Sequence, residues 1–270
     1  MNPAKTHIQR SLSYTLVGVG HVVVSMVEIL GNFMLYGKQV WDAARRPPFR
    51  KRLILQQMAF IGYESSFIIL LCGFFIGAAV SLQIGTIFTI FGGQSMLGAV
   101  NAKALARELS PLMAGFLIAG RAGAAMTAEI STMKVNEQID AMEAMAVDPI
   151  SYLVVPRVIA SLLMLPLLVA LFNFTGQIAS LIVALTIFDI DQGIFFDKLA
   201  KVVNWHDLWS GQQKAFVFGA LIGLIACRVG LAASGGAKGV GRATTNSVVS
   251  MLLALLGVDF FMTYVQIVWK

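Results

Sequence analysis

Long apolar runs separated by short polar segments dominate this sequence. Each run is close to or longer than the roughly 20 residues that a helix needs to cross about 30 Å of hydrocarbon. The runs cover residues 65–91, 109–128, 152–188, 215–233 and 248–269. The third run suits either one long bent helix, with Pro156 and Pro166 as bending points, or a hairpin of two helices. The pattern predicts an all-α fold, a polytopic membrane helix bundle.

The distribution of lysine and arginine decides between these two alternatives. Basic residues cluster before the first clear run, in the segment 41–52, and cytoplasmic loops of membrane proteins are enriched in them. With a single helix in 152–188, the later basic residues Arg228, Lys238 and Arg242 lie on that same side. A hairpin would place them outside, against the rule. Five transmembrane helices with a cytoplasmic N-terminus are therefore predicted.

The first 62 residues form a distinct region. Polar residues recur in 11–36 at steps near three and four, which indicates a helix lying in the membrane interface, although a true span is the open alternative. Residues 1–62 are thus predicted to hold an interfacial helix and a basic elbow, and residues 63–270 the transmembrane domain. Arg50 in the elbow and Arg242 in the glycine-rich segment 234–245 are candidate contacts for lipid phosphate.

A short acidic segment, residues 135–148, follows the second run. It predicts an amphipathic helix that leaves the bilayer on the cytoplasmic side, because its apolar positions recur at helical spacing. Those positions are Val135, Ile139, Met142 and Ala146, and the acidic positions are Glu137, Asp140, Glu143 and Asp148. Such a helix is too polar to span and too apolar on one side to stand alone, so we expect it to dock in a partner's groove.

Ionisable residues within membrane runs are candidates for function, because each costs roughly 2.5 to 3.5 kcal/mol on insertion scales. Asp259 lies midway along the last run, Glu108 follows Arg107 at the outer end of the second, and Lys214 stands just before the fourth. These groups are predicted to line one pocket in the outer half of the membrane and to engage a polar headgroup. Structural ion pairs between helices are the alternative.

Composition and motif spacing argue against several other functions. Because a mean hydropathy of +0.78 indicates a membrane protein, we interpret the basic cluster in 41–52 as a topology signal rather than as a nucleic-acid site. The two cysteines and three histidines show no ligand spacing, so no metal site is predicted. Residues 236–241 have the glycine spacing of a phosphate loop, but Arg242 and Ala243 replace its Lys-Ser/Thr pair. No nucleotide or other cofactor site is predicted in this chain.

Four blocks resemble the MlaE permease family. They are RELSPLMAGFLIAGRAGAAMTAEISTMKVNEQIDAMEAMAVDPI at 107–150, LVVPRVIA at 153–160, ACRVGLAASGGAKGVGRATT at 226–245 and VDFF at 258–261. The resemblance implies the permease subunit of an ABC transporter that moves phospholipid between the inner and outer membranes and maintains outer-membrane lipid asymmetry. It places the chain in a bacterial inner membrane. Arg228 departs from the uncharged or aromatic residue expected in some relatives.

The resemblance also implies partners. They are a second copy of the chain, two ATPase subunits that hold ATP and Mg, a STAS-domain protein and a hexameric periplasmic MCE-domain protein. Residues 135–148 become the coupling helix in an ATPase groove. Arg107, Glu108, Lys214 and Asp259 fall around an outward-facing lipid pocket, and acyl chains are expected against Ile84, Phe88 and Phe91.

Two other classes of protein stay open at this point. An ion- or proton-coupled secondary transporter would use Asp259 and Glu108 as ion sites and would not need a docking helix. A non-transporting scaffold would need neither the pocket nor the docking helix.

Overall fold

The structure, a computed structural model, describes residues 24, 27, 28, 31–47 and 50–268, and all regular structure in them is helical. Residues 31–45 form helix α1, which belongs to a unit that ends at Phe49; the remainder of the chain forms a second compact unit. Most of the predicted interfacial helix at 11–36, with Pro48 and Trp269, lies outside the described residues. The predicted boundary at residue 62 lies within the next helix.

Seven helices follow in the second unit. They are α2 Lys51–Phe91, α3 Gln94–Val135, α4 Gln138–Ala144, α5 Ile150–Thr186, α6 Gln192–Val202, α7 Trp205–Leu231 and α8 Gly236–Val268. In the described part of the chain, α2, α3, α5, α7 and α8 are long and apolar enough to cross a membrane, which confirms the five predicted spans. All but the last two residues of the run 152–188 lie in one helix that contains Pro166, so the hairpin alternative is wrong.

Segments between the predicted apolar runs prove to be helical. Only Gly92 and Gly93 separate α2 from α3, so most of the stretch between the runs 65–91 and 109–128 belongs to α3, and the left-handed φ of 66° at Gly92 ends α2. Likewise α8 begins at Gly236, so most of the glycine-rich segment 234–245 is helical. The elbow is shorter too, since α2 already begins at Lys51. Hydropathy marks the part of a helix that lies in hydrocarbon, whereas helices continue into the polar headgroup region.

Small residues bring α2 and α5 into close contact. Gly73 and Gly77 are buried on one face of α2. A Cβ atom on Gly77 would lie 2.3 Å from the carbonyl oxygen of Gly176 in α5, so an alanine there would force the backbones apart. In a membrane, where lipid is as apolar as leucine, such close packing holds helices together.

Polar side chains also join the helices inside the bundle. The amide of Asn101 in α3 donates to the Ser81 hydroxyl in α2 at 2.8 Å, and the Thr127 hydroxyl donates to Ser247 in α8 at 2.8 Å. Arg121 in α3 pairs with Glu64 in α2 at 2.5 Å. Each bond satisfies a polar group for which the hydrocarbon offers no partner.

Single π-helical turns interrupt the long helices at four places. They cover Ala59–Tyr63, Leu105–Leu109, Ala119–Gly123 and Ile150–Val154. A π turn inserts one residue into a helix and is frequent at functional sites. The second of them carries Arg107 and Glu108, and the third carries Arg121.

Candidate functional site

A buried lysine forms the centre of the candidate site. Lys214, in the third turn of α7, has no solvent-exposed side-chain surface. Its ammonium pairs with the carboxylate of Glu108 in α3 and lies 2.9 Å from Oδ1 of Asp259 in α8. It also donates to the hydroxyl of Thr263, one turn further along α8, at 2.7 Å. The structure thus brings together three of the ionisable residues that the sequence singled out.

The three charged groups of this Lys214 cluster differ in exposure. The side chain of Lys214 is 0% exposed, that of Asp259 16% and that of Glu108 42%. An unpaired buried ammonium would cost several kcal/mol, so the two carboxylates are what allows Lys214 to be charged there. Oδ1 of Asp259 makes an ion pair but no directed hydrogen bond. With two carboxylates to one ammonium, the cluster carries an excess negative charge that faces outward through Glu108.

A second cluster of opposite excess charge lies beside it. Asp207, in the first turn of α7, is buried with its carboxylate 3.4 Å from Lys103 and 3.7 Å from Arg107, both in α3. The Asp207 carboxylate also accepts a hydrogen bond from the backbone amide of Asn204, in a capping box at the start of α7. We call Lys103, Arg107 and Asp207 the Asp207 cluster. It has two cations and one carboxylate, and like the Lys214 cluster it joins α3 to α7.

A cavity of ≈ 370 Å³ touches both clusters. Lys103 and Arg107 line it from the Asp207 cluster, and Glu108 and Thr263 line it from the Lys214 cluster. The cavity, which we call the mouth cavity, therefore has a positive and a negative side. Sequence reasoning missed Lys103, Asp207 and Thr263; the only available signal was the capping-box spacing of Asn204 and Asp207.

The three residues predicted to contact acyl chains lie away from the mouth cavity. Ile84 packs against a core cluster that includes Leu97 and Phe195, and Phe88 is half-buried beside Gly93. Phe91, at the end of α2, is 78% exposed. None of the three lines the mouth cavity. The reason is that α2 packs mainly on α5 and on the start of α3, away from the clusters on α7 and α8.

At the other end of the bundle, α4 replaces the predicted helix 135–148 and is only seven residues long. Residues in the left-handed conformation flank it, Glu137 with φ 57° and Ala146 with φ 58°. Ile139 is buried and Met142 half-buried within this chain, so this part of the apolar stripe packs on the chain's own bundle, whereas Ala146 is exposed. Periodicity reveals an apolar face but not what covers it.

What α4 presents outward is acidic. Glu137, Asp140 and Glu143 are exposed, together with Met145, whose exposure is 68%. Asp140 accepts a hydrogen bond from the ammonium of Lys134 at 2.6 Å, which fixes α4 to the end of α3.

Asp148 was predicted to belong to the docking helix but serves α5 instead. Its carboxylate accepts hydrogen bonds from the backbone amides of Ile150 and Ser151 and from the Ser151 hydroxyl. Partial burial opposes ionisation, yet these bonds, with the nearby charge of Arg50, hold the pKa of Asp148 below its usual value of 3.8.

The two predicted lipid-phosphate contacts lie in different places. Arg50 stacks on the ring of Tyr152 at 4.7 Å. Arg242, the other, lines a separate cavity where α7 meets α8.

The architecture is that of a multi-pass α-helical membrane protein with buried ion pairs between its spans. The family model described as Permease MlaE matches residues 54–265, and the chain belongs to the MlaE permease family. It is 37% identical over 245 residues to a probable ABC transporter permease protein of Rickettsia felis, covering 91% of this chain and 95% of the relative. A probable ABC transporter permease protein of Synechocystis is 39% identical over 88% of this chain and 90% of its own length.

A plant relative extends the comparison. Protein TRIGALACTOSYLDIACYLGLYCEROL 1, chloroplastic, of Arabidopsis thaliana is 36% identical over 97% of this chain and 69% of its own length. The matches confirm the resemblance seen in the sequence and identify the chain as an ABC transporter permease.

Proposed function

We propose that this permease moves phospholipid between the inner and outer membranes, maintains outer-membrane lipid asymmetry, and is driven by a separate ATPase subunit. The observation that carries the proposal is the mouth cavity, with cations on one side and an excess of carboxylate on the other. A zwitterionic phospholipid headgroup has the complementary pair of charges, a phosphate and an amine. The phosphate would face Lys103 and Arg107, and the amine would face Glu108.

Burial of the Lys214 cluster supports a role in the headgroup's passage. The ammonium is compensated within the chain, so the cluster persists without a ligand, and of its three charged groups only Glu108 lines the cavity. A headgroup amine approaching Glu108 would share its carboxylate with Lys214. Binding would therefore weaken the tie between α3 and α7, which links occupancy of the cavity to the packing of the spans.

The short helix α4 supports energy coupling to an ATPase. Ile139 anchors it in the bundle, and the exposed carboxylates of Glu137, Asp140 and Glu143 form a surface that suits a basic groove. Because only two residues separate α4 from α3, a displacement of α4 would be transmitted directly to α3. ATP and Mg would bind to the ATPase alone, and this chain would perform no chemistry of its own.

Further parts of the proposal concern assembly and orientation. The chain is proposed to form a homodimer in a bacterial inner membrane, with its N-terminus in the cytoplasm. A STAS-domain protein and a hexameric periplasmic MCE-domain protein would complete the complex. The exposed apolar residues of α8, among them Leu253 at 65% and Phe260 at 77%, support a span that meets lipid or a second copy.

The test is ATP-dependent transfer of a fluorescent phosphatidylethanolamine by the purified complex in proteoliposomes. We expect transfer to stop with a hydrolysis-deficient ATPase, and to fall at least tenfold in Glu108→Gln, since loss of a charge-assisted contact costs about 1.5 to 3 kcal/mol. Lys201→Gln, an exposed residue of α6 paired with Asp197, is the matched control and should transfer normally. Normal transfer by Glu108→Gln would overturn the assignment of the mouth cavity.

An ion-coupled secondary transporter is the second candidate, and the outward-reaching carboxylate of Glu108 beside Asp259 is what favours it. Transfer driven by a proton gradient in vesicles that contain the permease without any ATPase would establish that candidate. Transfer that requires ATP and ignores the gradient would reject it.

A further inference from the structure

A second cavity, of ≈ 460 Å³, lies where α7 ends and α8 begins. Three cations line it: Arg228 from α7, and Lys238 and Arg242 from the first two turns of α8. Among the described residues, none that lines it is acidic. We call it the basic cavity. Arg228 lies 14 residues beyond Lys214 along α7, about 20 Å at the rise of an α-helix, so the basic cavity is distinct from the mouth cavity.

The positive charges that Lys238 and Arg242 bring to the basic cavity are poorly compensated. Lys238 and Arg242 are exposed, and within the described residues neither forms an ion pair or a side-chain hydrogen bond. They are four residues apart on one helix, where like charges repel. They also lie near the N-terminus of α8, where the helix dipole is already positive. A bound anion would offset all of these costs at once.

The backbone holds the cavity in place. Gly235 and Gly236 have φ values of 89° and 67°, which residues with a Cβ rarely adopt, and they allow α8 to begin directly after the turn. A Cβ on Gly239 would lie 1.8 Å from the carbonyl oxygen of Ser234. The glycines therefore create a tight turn that brings Arg228 opposite Lys238 and Arg242.

The surface next to the basic cavity has the polarity of a lipid. Arg242, Asn246, Val249 and Leu253 follow one another at helical spacing on the same face of α8. The first two are polar and line the cavity, whereas Val249 and Leu253 are apolar and 50% and 65% exposed further into the span. A headgroup in the cavity would thus leave its acyl chain against an apolar helix face, a combination that a soluble phosphate cannot use.

We propose that the basic cavity binds the phosphate of an anionic phospholipid, such as phosphatidylglycerol, from the leaflet at that end of the bundle. Basic pockets between transmembrane helices recognise anionic headgroups by the same combination of cations and adjoining apolar surface. The site does not depend on the transported substrate, because it uses different residues at the opposite end of α7. Its occupant would stay bound while other lipids pass.

The test is native mass spectrometry of the whole detergent-extracted complex, with equal amounts of phosphatidylglycerol and phosphatidylethanolamine added. We expect wild type to retain phosphatidylglycerol preferentially. The double variant Lys238→Gln, Arg242→Gln should bind it roughly 25-fold more weakly, at about fivefold for each lost cation. The charge-retaining variant Lys238→Arg, Arg242→Lys should bind it as wild type does. If the double variant does not assemble, Arg242→Gln alone should bind roughly fivefold more weakly.

The matched control removes the same charge at the other end of the molecule. Lys198→Gln, Lys201→Gln on α6 should retain phosphatidylglycerol fully, and an equal loss in this control would overturn the proposal. Unchanged retention in the double variant, with loss of the ATPase subunit or of the second copy, would show that a protein surface occupies the cavity and would also overturn it. Displacement by an equal concentration of glycerol 3-phosphate would overturn the assignment to a lipid.

Discussion

Replacing Lys214 by methionine tests whether the buried ion pairs hold the spans together. Methionine keeps most of the side-chain volume and removes the charge, so the change isolates electrostatics from packing. Asp259, which is 16% exposed, would lose its cation, and breaking a buried pair in this way costs about 3 to 5 kcal/mol. Glu108 contributes less, because its 42% exposure lets water replace the ammonium. The lower end of the range, about 3 kcal/mol, is therefore expected.

The assay is the thermal midpoint of the purified permease complex, followed by the loss of its size-exclusion peak. A cost of about 3 kcal/mol corresponds to a fall of roughly 6 to 12 °C for a domain of this size. Lys201→Met is the matched control: its pair with Asp197 is exposed, so its midpoint should fall by no more than about 2 °C.

A second substitution separates charge from shape. Lys214→Met combined with Asp259→Asn removes both members of the more buried pair, and replacing a buried ion pair by neutral groups is often close to neutral. We expect the double variant to recover at least half of the lost midpoint. A midpoint for Lys214→Met as high as that of Lys201→Met would refute the reasoning. A double variant no better than the single one would assign the loss to packing instead.

Three further predictions follow from other parts of the structure. Glu143→Arg reverses the exposed acidic surface of α4, so co-purification of the ATPase should fall while the permease midpoint stays unchanged; undiminished co-purification would contradict docking there. Gly77→Ala drives a Cβ into the backbone of α5 and should cost about 1 to 3 kcal/mol in a thermal assay, whereas Gly120→Ala, with nothing within 4 Å, should be neutral. Asp148→Asn weakens the cap of α5: because the native pKa of Asp148 is lowered, wild type should be the more stable above pH 3.8, and the gap should close as the pH falls below that value; a gap independent of pH would argue against the ionised cap.

The number of spans could be predicted because hydrocarbon imposes one requirement on every crossing helix, and the sequence meets it five times. Lys214, Glu108 and Asp259 were found for a related reason: an ionisable residue in an apolar run is rare enough to be conspicuous. Asp207 and Lys103 stayed hidden because they lie among ordinary polar residues near helix ends, where charge is inexpensive. Their proximity emerges only when α3 and α7 are packed together.

The buried face of a helix was harder to predict than the position of the helix in the sequence. The stripe through Ile139 was recognised, but spacing alone did not reveal that the chain itself buries Ile139. Ile84 and Phe91 lie on a helix that is apolar almost all round, so hydropathy does not separate its packed side from its lipid side. The packed side is marked instead by small residues at steps of four, such as Gly73, Gly77 and Ser81. These assignments depend on the neighbours that each helix meets in the folded bundle.

The two ion-pair clusters fasten α3 to α7 at two heights. Asp207 and Lys214 are seven residues apart on α7, about 10 Å along its axis, and both reach partners on α3. When the Lys214 cluster loosens, the Asp207 cluster still joins α3 to α7, so we expect these two helices to move together. The last helix, α8, is the least buried of the five spans. It takes part in the Lys214 cluster, through Asp259 and Thr263, but not in the Asp207 cluster. Near the mouth cavity, release of the Lys214 cluster would leave α8 tied to α7 by uncharged contacts, such as the hydrogen bond that Gln266 donates to the Ser210 carbonyl. We therefore expect this end of α8 to be the wall of the cavity that moves.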